Sequence, residues 1–414
     1  VTDPHHDHPA APAPARRPGP AMTGDDRAAA NAATVLRTVL DHGPVARSAI
    51  SRLCGLSPAA VSRQTTGLLR RGLLRELPEP PPPGGVGRPR VPLDLHTGPV
   101  GGAVVAGLHI GVPSSTFGLV DLRGRVLAGR SVPHDGDHDP ARIAAGLSAF
   151  LAESAAGRPL LGVGVALGGW IRPDDGLVVR HERLGWRDRP LARELSEALG
   201  LPVRIDNHAR AVAGAEILFG RPEARRSLVH LFVGNVVDAA FGIEGTLHQG
   251  PDAAAGDVAH LPVPGSTVGC AACGRTGCLQ ATASDTAITA EAVRRGIVPS
   301  PAIALLVDAA AAGDPRADRL LRDRARHVGR ATALLLDVFN PAVMVVTELS
   351  SVLHEEYLEE IRAAAVASSH VSTDRGRIVI PHAGPAVLPE AAATVLLSPL
   401  FTDPSGSPAL GLGP

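Results

Sequence analysis

The segment from Asn31 to Leu95 carries a pattern that few folds satisfy. Val35, Leu36, Val39 and Leu40 recur at helical spacing, and His42-Gly43-Pro44 ends that helix. A second, short helix is expected from about Ala46 to Leu53, with Ile50 and Leu53 turned inward. Gly55-Leu56-Ser57 then makes a tight turn. Ser57 suits the N-cap and Pro58 the first position of a third helix, which carries Val61, Leu68 and Leu69 inward and ends near Gly72. Leu73–Leu77 and Val91–Leu95 read as short strands on either side of an irregular stretch rich in Pro and Gly. Helix, helix, turn, helix and a two-stranded wing, in that order, predict a winged helix-turn-helix.

In such a motif the helix after the turn enters the major groove of duplex DNA, where short polar side chains and Arg read base edges and phosphates. Here that face offers Ser57, Ala60, Ser62, Arg63, Gln64 and Thr65, with Arg70 and Arg71 at its end. Arg47 opens the second helix, and Arg88 and Arg90 stand at the wing tip within reach of a groove or of phosphates. Between Asn31 and Gly98 nine arginines face four acidic residues, about +5, in a chain whose formal net charge is -1. A phosphate backbone rewards that local excess. Arginine abundance alone carries no such message, because all 40 basic residues of this chain are Arg. The competing reading is a helical oligomerisation module with solvated arginines.

The remainder, from about Gly102 to Leu400, alternates strands and helices, an α/β pattern. Expected strands include Ala103–Ile110, Phe117–Asp121, Leu161–Ala166, Val203–Ile205, Leu228–Val233 and Val343–Val346. Expected helices include Pro140–Ala155, Pro190–Leu199, Ala209–Phe219, Pro315–Phe339 and His354–Ser368. Hydrophobic residues make up 44% of the chain and aromatics only 2%, so Ala, Val, Leu and Ile must fill the core. The expected division is a disordered tail over 1–28, the DNA-binding head over 29–98, a large α/β domain over 99–401 and a frayed end over 402–414. The tail's His5, His6 and His8 are expected to be floppy and not metal ligands, and Met22 offers an ordinary start beyond them. The N-terminus lacks the apolar core of a signal peptide and no run of 18 apolar residues occurs, so a cytoplasmic protein without a membrane span is expected.

Three of the four cysteines fall within nine residues. His260, Cys270, Cys273 and Cys278 give H-x9-C-x2-C-x4-C, with Gly269, Gly274 and Gly277 between them. One imidazole and three thiolates suit tetrahedral Zn2+, and four protein ligands leave no open position, so the expected role is structural. The bland alternative is three buried thiols and a core histidine. Cys54 stands alone and is expected to be a small core residue.

Taken together these residues resemble the ROK family of sugar kinases and sugar-responsive repressors, over nearly all of residues 30 to 400. The most specific element is Ala255-Gly256-Asp257-Val258-Ala259-His260 followed by the cysteine knuckle and Leu279. The family more often has Glu at position 257, Gly at 259, Glu after the Cys-Leu pair, and one residue between the first two cysteines. Further matches are Gly162-Val-Gly-Val-Ala-Leu-Gly168, Leu184-Gly185-Trp186, Asp206-Asn207-His208-Ala209 and Val338-Phe339-Asn340-Pro341. The resemblance implies a winged helix-turn-helix followed by a two-lobed, actin-like (ribonuclease H-like) fold with a sugar between the lobes. It maps the sugar contacts to Gly168, Asn207, His208, Asp257, His260 and Gln280.

The kinase parts of that family are altered here. The first phosphate turn, Asp-Ile-Gly-Gly-Thr in kinases, reads His109-Ile110-Gly111-Val112-Pro113, which loses the acid, one Gly and a backbone donor. The second, glycine-rich in kinases, reads Gly234-Asn235-Val236-Val237-Asp238, where Asp238 would repel a phosphate. Thr347-Glu348 replaces the adenosine-side Gly-Gly, and His208 stands where kinases place the Asp that deprotonates the sugar. The expected protein is therefore a regulator of carbohydrate-related genes with no catalytic residues, a repressor acting as a homodimer or dimer of dimers on a palindromic operator, with a small carbohydrate as candidate effector. Two other readings stay open: an ATP-dependent sugar kinase with an appended DNA-binding domain, and a ligand-independent DNA-binding scaffold.

Overall fold

The computed structural model describes residues 24–78, 91–98, 101–155 and 157–404. The wing-tip residues Arg88 and Arg90 lie outside the described residues. The head consists of α1 (Gly24–His42), β1 (Val45–Ala46), α2 (Arg47–Cys54), α3 (Pro58–Arg70), β2 (Leu74–Glu76) and β3 (Pro92–Leu95). Helix α1 starts at Gly24, inside the stretch read as tail, because Asp25 and Asp26 favour a helix N-terminus electrostatically. Ser57 caps α3 by accepting from the Ala60 amide at 3.2 Å, as its sequence position implied. The wing has three strands in the order β1-β3-β2, because Val45 and Ala46 pair with Leu93 and Pro92. Leu53 is 54% exposed and does not face inward. Helix α2 is only two turns long, and Ala49, Ile50 and Cys54 already complete its buried side.

The first lobe holds β4 (Val104–Ile110), β5 (Ser114–Asp121), β6 (Val126–Pro133), α4 (Pro140–Ser154) and β7 (Leu160–Leu167). It continues through β8 (Trp170–Arg172), β9 (Leu177–His181), β10 (Trp186–Arg189), α5 (Leu191–Leu199), β11 (Val203–Asn207) and α6 (His208–Phe219). The second lobe holds β12 (Ser227–Val233), β13 (Val237–Ile243), β14 (Thr246–His248), α7 (Leu279–Ala283), α8 (Asp285–Arg294), α9 (Ile303–Ala311) and α10 (Pro315–Phe339). It ends with β15 (Val343–Glu348), α11 (Leu349–Leu353), α12 (Glu355–Ser368) and β16 (Ile378–Val379), and α13 (Val387–Thr402) follows. The two main sheets run β6-β5-β4-β7-β11 and β14-β13-β12-β15-β16. In each, the first three strands in sequence are antiparallel neighbours and the last two join in parallel. This repeated topology is the two-lobed actin-like arrangement.

Helix α13 belongs to neither half of the alternation read from the sequence. It returns to the first lobe and lies on β4, β5 and β7. Its approach depends on three glycines: a Cβ at Gly107 would sit 2.2 Å from the Pro389 carbonyl oxygen, at Gly118 2.3 Å from Pro389 Cβ, and at Gly164 2.1 Å from the Ala392 oxygen. The stretch Gly384–Thr402 is long and apolar enough to cross a membrane, but it is 61% buried as a core helix.

The head is not a bead on a string. Val35, Leu36 and Val39 of α1 share one apolar core with Val105 and Val120 of the first lobe and with Leu396, Leu397, Leu400 and Phe401 of α13. Polar ties ring that core. Arg37 donates to the Ile217 carbonyl at 3.1 Å, Arg225 grips Asp41 with two bonds of 2.9 Å, and Arg123 donates to the Leu40 carbonyl at 3.0 Å.

Beside this junction His382 bridges Glu216 of α6 at 2.9 Å and Glu390 of α13 at 3.0 Å. Burial disfavours its charge, but the two carboxylates outweigh burial and raise it to about 10. Its stabilisation is therefore complete below the ordinary histidine value and is lost as pH rises through about 10. His382→Ala strands two buried carboxylates and is expected to cost about 3–5 kcal/mol of unfolding free energy. Thermal unfolding at a series of pH values reads this, and the wild-type decline between pH 7 and 10 should shrink in the variant.

Candidate functional site

Between the lobes lies a cleft of about 740 Å³. Its first-lobe wall comes from the β8–β9 hairpin and the start of α6, and its second-lobe wall from residues 235–238, 253–260, 269–272 and 280–287. Asn207, Asp257, His260 and Gln280, four of the six residues mapped from the sequence, line it. They are not equally available. Asn207 caps α6, accepting from Ala209 N at 2.7 Å, and donates to the Gly169 oxygen and to Asp238 at 2.9 and 3.0 Å. Gln280 spends its amide on the neighbouring turn, accepting from Val237 N at 2.9 Å and donating to the Asn235 oxygen at 2.8 Å. Asp257 is exposed and, among the described residues, accepts a single long bond, from Ala259 N at 3.3 Å, so its carboxylate is open to a ligand.

Gly168 and His208 lie behind the wall and not on it. Gly168 is covered by the Val236 side chain, which a Cβ there would meet at 3.0 Å. The His208 ring is 4% exposed, packed 3.8 Å from the Phe232 ring and 5.9 Å from that of His109. Its Nε2 lies 3.0 Å from Asp238 Oδ2. Burial acts to raise the Asp238 carboxyl, but His208, Asn207 and the Gly169 amide hold it below its usual range. The local signal that could have shown this inward turn is the apolar residue at 232 and at 236, which fills the space a second glycine would leave open.

The two turns read from the sequence as altered phosphate turns are closed by the chain's own hydrogen bonds. Gly111 donates back to the Ser114 oxygen at 3.0 Å, closing a tight hairpin between β4 and β5, and His134 and His138 contact the Gly111 and Val112 oxygens at 3.1 and 3.0 Å. Burial, with His208 alongside, pushes His109 down to about 3 and His181 to about 4, and burial takes His230 to about 3. These rings are neutral at pH 7 and offer no cation to a phosphate. Behind the second turn the fully buried Arg324 donates to the Ala283 oxygen at 2.8 Å and the Val233 oxygen at 3.3 Å. It lies 2.5 Å from Asp285 and 2.7 Å from Glu348. Glu348 in turn caps α11, accepting from Ser350 and Ser351 at 3.1 and 2.9 Å.

The knuckle borders the cleft, sharing His260 and Cys270 with its lining. One ligand atom from each of His260, Cys270, Cys273 and Cys278 lies within 4.8 Å of the others, so the set can hold a metal ion. The loop is folded for this by backbone pairing: Cys270 N donates to the Arg275 oxygen at 2.7 Å and Gly274 N to the Cys270 oxygen at 2.9 Å. Gly277 has φ 72 and no room for a Cβ, which would sit 2.8 Å from the Ser266 oxygen. Arg275 beside Cys273 lowers that thiol to about 6, while burial and the neighbouring thiols push Cys278 up to about 11.

On the head, Ser57, Ser62, Arg63 and Arg70 are exposed and Gln64 is half-buried. Ala60 and Thr65 face inward, at 8% and 0% exposure, because they share the buried side of α3 with Val61 and Leu68. The same periodicity puts Ala59 and Thr66 outside, a point the spacing of Val61 and Leu68 already contained. Arg47 bonds Thr65 Oγ1 at 3.3 Å and Glu76 at 2.8 Å, which braces α2 against α3 and the wing. Arg71 donates to the Pro404 oxygen at 2.8 Å, tying the head to the segment just after α13.

Comparison with known proteins agrees with this geometry. The model of the ROK family matches residues 105–383. A transcriptional regulator of Mycobacterium tuberculosis is 36% identical over 398 residues, 91% of this chain and 87% of that one. The xylose repressor of Caldicellulosiruptor bescii is 28% identical over 349 residues, 80% of this chain and 86% of that one. Among solved structures, a ROK family transcriptional regulator described as a homologue of the E. coli Mlc protein superposes with a TM-score of 0.70 at 23% identity, covering 91% of this chain and 99% of its own. The chain therefore belongs to the ROK family, and within that family to its transcriptional regulators.

Proposed function

We propose that this regulator grips duplex DNA with the outer face of α3 and adjusts that grip to a carbohydrate held in the cleft, which it does not phosphorylate. The observation that carries the reading is the course of α6. Its first turn forms part of the cleft, where Arg210 donates to the Ala253 oxygen at 3.0 Å and the Ile171 oxygen at 2.8 Å, joining both walls. Its last turn meets the head, where the Ile217 oxygen accepts from Arg37 and Leu218 enters the shared core. Twelve residues of helix span about 18 Å, so one rigid rod connects effector and DNA. A ligand that draws Asp257 and His260 towards the first lobe shifts the 250–256 strap, and through Ala253 it loads Arg210 and α6. The sign is repression relieved by sugar, with two heads of a dimer reading a palindromic operator.

The reading leaves out phosphoryl transfer, and the closed turns at 111–114 and 234–236 and the burial of His208 support that. The knuckle fits structural zinc: His260, Cys270, Cys273 and Cys278 would hold it, and the ion would lock the loop that presents His260 to the cleft. The reading places the protein in the cytoplasm, where operator and sugar meet.

Three outcomes test it. DNA affinity, measured by fluorescence anisotropy, should fall linearly on a log–log plot as salt rises, and Arg63→Ala should cost about 1–3 kcal/mol of binding. A salt-independent affinity would remove the phosphate argument. An Arg37→Ala/Arg225→Ala double variant should still bind sugar by calorimetry but lose the sugar's effect on DNA affinity; unaltered coupling would dismiss α6 as the route. Purified protein should carry zinc by atomic absorption, and Cys273→Ser should lose the metal and most of its sugar affinity.

A further inference from the structure

We infer that Trp170 is a stacking platform on which the apolar face of a pyranose ring lies, an inference that rests on the carbohydrate effector proposed above. The chain has two tryptophans. Trp186 is 6% exposed and carries the Arg189 guanidinium 5.2 Å from its ring. Trp170 is 37% exposed and forms part of the cleft wall. Among the described residues no aromatic ring or guanidinium stacks on it. Its indole N–H donates to the Asp252 oxygen at 2.8 Å, which satisfies the ring's polar edge and fixes its orientation.

The result is a held, uncovered aromatic plate in a cleft that presents the polar groups of Asp257 and His260 alongside small apolar residues such as Ala254, Ala255 and Ala259. A ligand with one chemical character does not match both. A phosphate or a small carboxylate would use the polar members and leave the indole wet. An aliphatic ligand would use the indole and leave the Asp257 carboxylate without a partner. A cyclic sugar has both parts: axial C–H groups make an apolar face, and hydroxyls project from the rim as donors and acceptors. With the C–H face on Trp170, the rim hydroxyls face Asp257 and His260. Sugars whose axial hydroxyls interrupt that face fit less well, so Trp170 selects among pyranoses by the configuration of their ring carbons.

A purely structural role is the competitor, because the indole N–H also holds Asp252, whose φ of 52 lies in the left-handed region. The two roles separate by substitution. Trp170→Phe keeps an aromatic face and removes the N–H; Trp170→Leu keeps apolar bulk without either; Trp170→Ala removes all three. The experiment is calorimetric titration of the full-length protein and these variants with a panel of aldohexoses and aldopentoses, together with acrylamide quenching of tryptophan fluorescence with and without sugar. Bound sugar should shield the exposed fluorophore, while buried Trp186 supplies an unchanging background. Trp170→Ala and Trp170→Leu should each weaken binding about 10-fold, and Trp170→Phe should stay within about 3-fold of wild type. Equal losses in the Phe and Ala variants would assign the residue to holding the strap, and unaltered affinity in the Ala variant would remove it from the site; either overturns the platform. No heat from wild-type protein with any sugar would instead overturn the carbohydrate reading, and the platform with it.

Discussion

The close approach of α13 to the first-lobe sheet underlies most of what this molecule does. Gly107, Gly118 and Gly164 give up side chains so that Pro389 and Ala392 can sit against the strands. That contact brings the last helix of the chain beneath its first helix, and Leu396, Leu397, Leu400 and Phe401 then complete the core on which α1 rests. A side chain at any of the three glycines would lift α13 and weaken the seat of the DNA-binding head. The Glu216–His382–Glu390 bridge pins the same helix to α6 from its other side. Head, first lobe and α6 are in this way one packed body, and the cleft is built on its far end.

Local chemistry was readable in the sequence. The Ser57 cap, the Pro58 start, the hydrophobic spacing of α1 and α3, and the bounds of α10 follow from rules that act over a few residues. The cysteine spacing likewise announced a cluster whose ligand atoms meet. Long-range features were not readable. Helix α13 is apolar on nearly all sides, so it has no amphipathic period, and nothing in its own residues says which sheet it covers. Strand β1 has two residues and exists only because Leu93 lies opposite. The glycines of β4, β5 and β7 look like weak points in strands until the returning helix is seen.

The site shows the same division. Asn207, Asp257, His260 and Gln280 reach the cleft, as motif positions suggested. His208 and Gly168 do not, because Phe232 and Val236 crowd the space in front of them, and that crowding is a property of three segments meeting. Trp170 carries no motif signal of its own, because its exposure in the cleft is set by the fold and not by its neighbours in sequence. Ala60 and Thr65 turn inward, and Arg47 and Arg71 also make bonds within the protein, because a helix face only three or four residues wide leaves little room between its outer and its packed side.

The buried network around Arg324 also constrains three segments at once. Its guanidinium is fully enclosed and balanced by Asp285 and Glu348. Removing the guanidinium would leave two buried carboxylates without a counter-charge, at a cost of about 3–5 kcal/mol, a large share of a domain's whole stability, whereas removing one acid leaves the other paired with Arg324. Residues 285, 324 and 348 stand on α8, α10 and β15, so the network works as a latch between three segments: the central guanidinium can be lost without penalty only if both acids change with it.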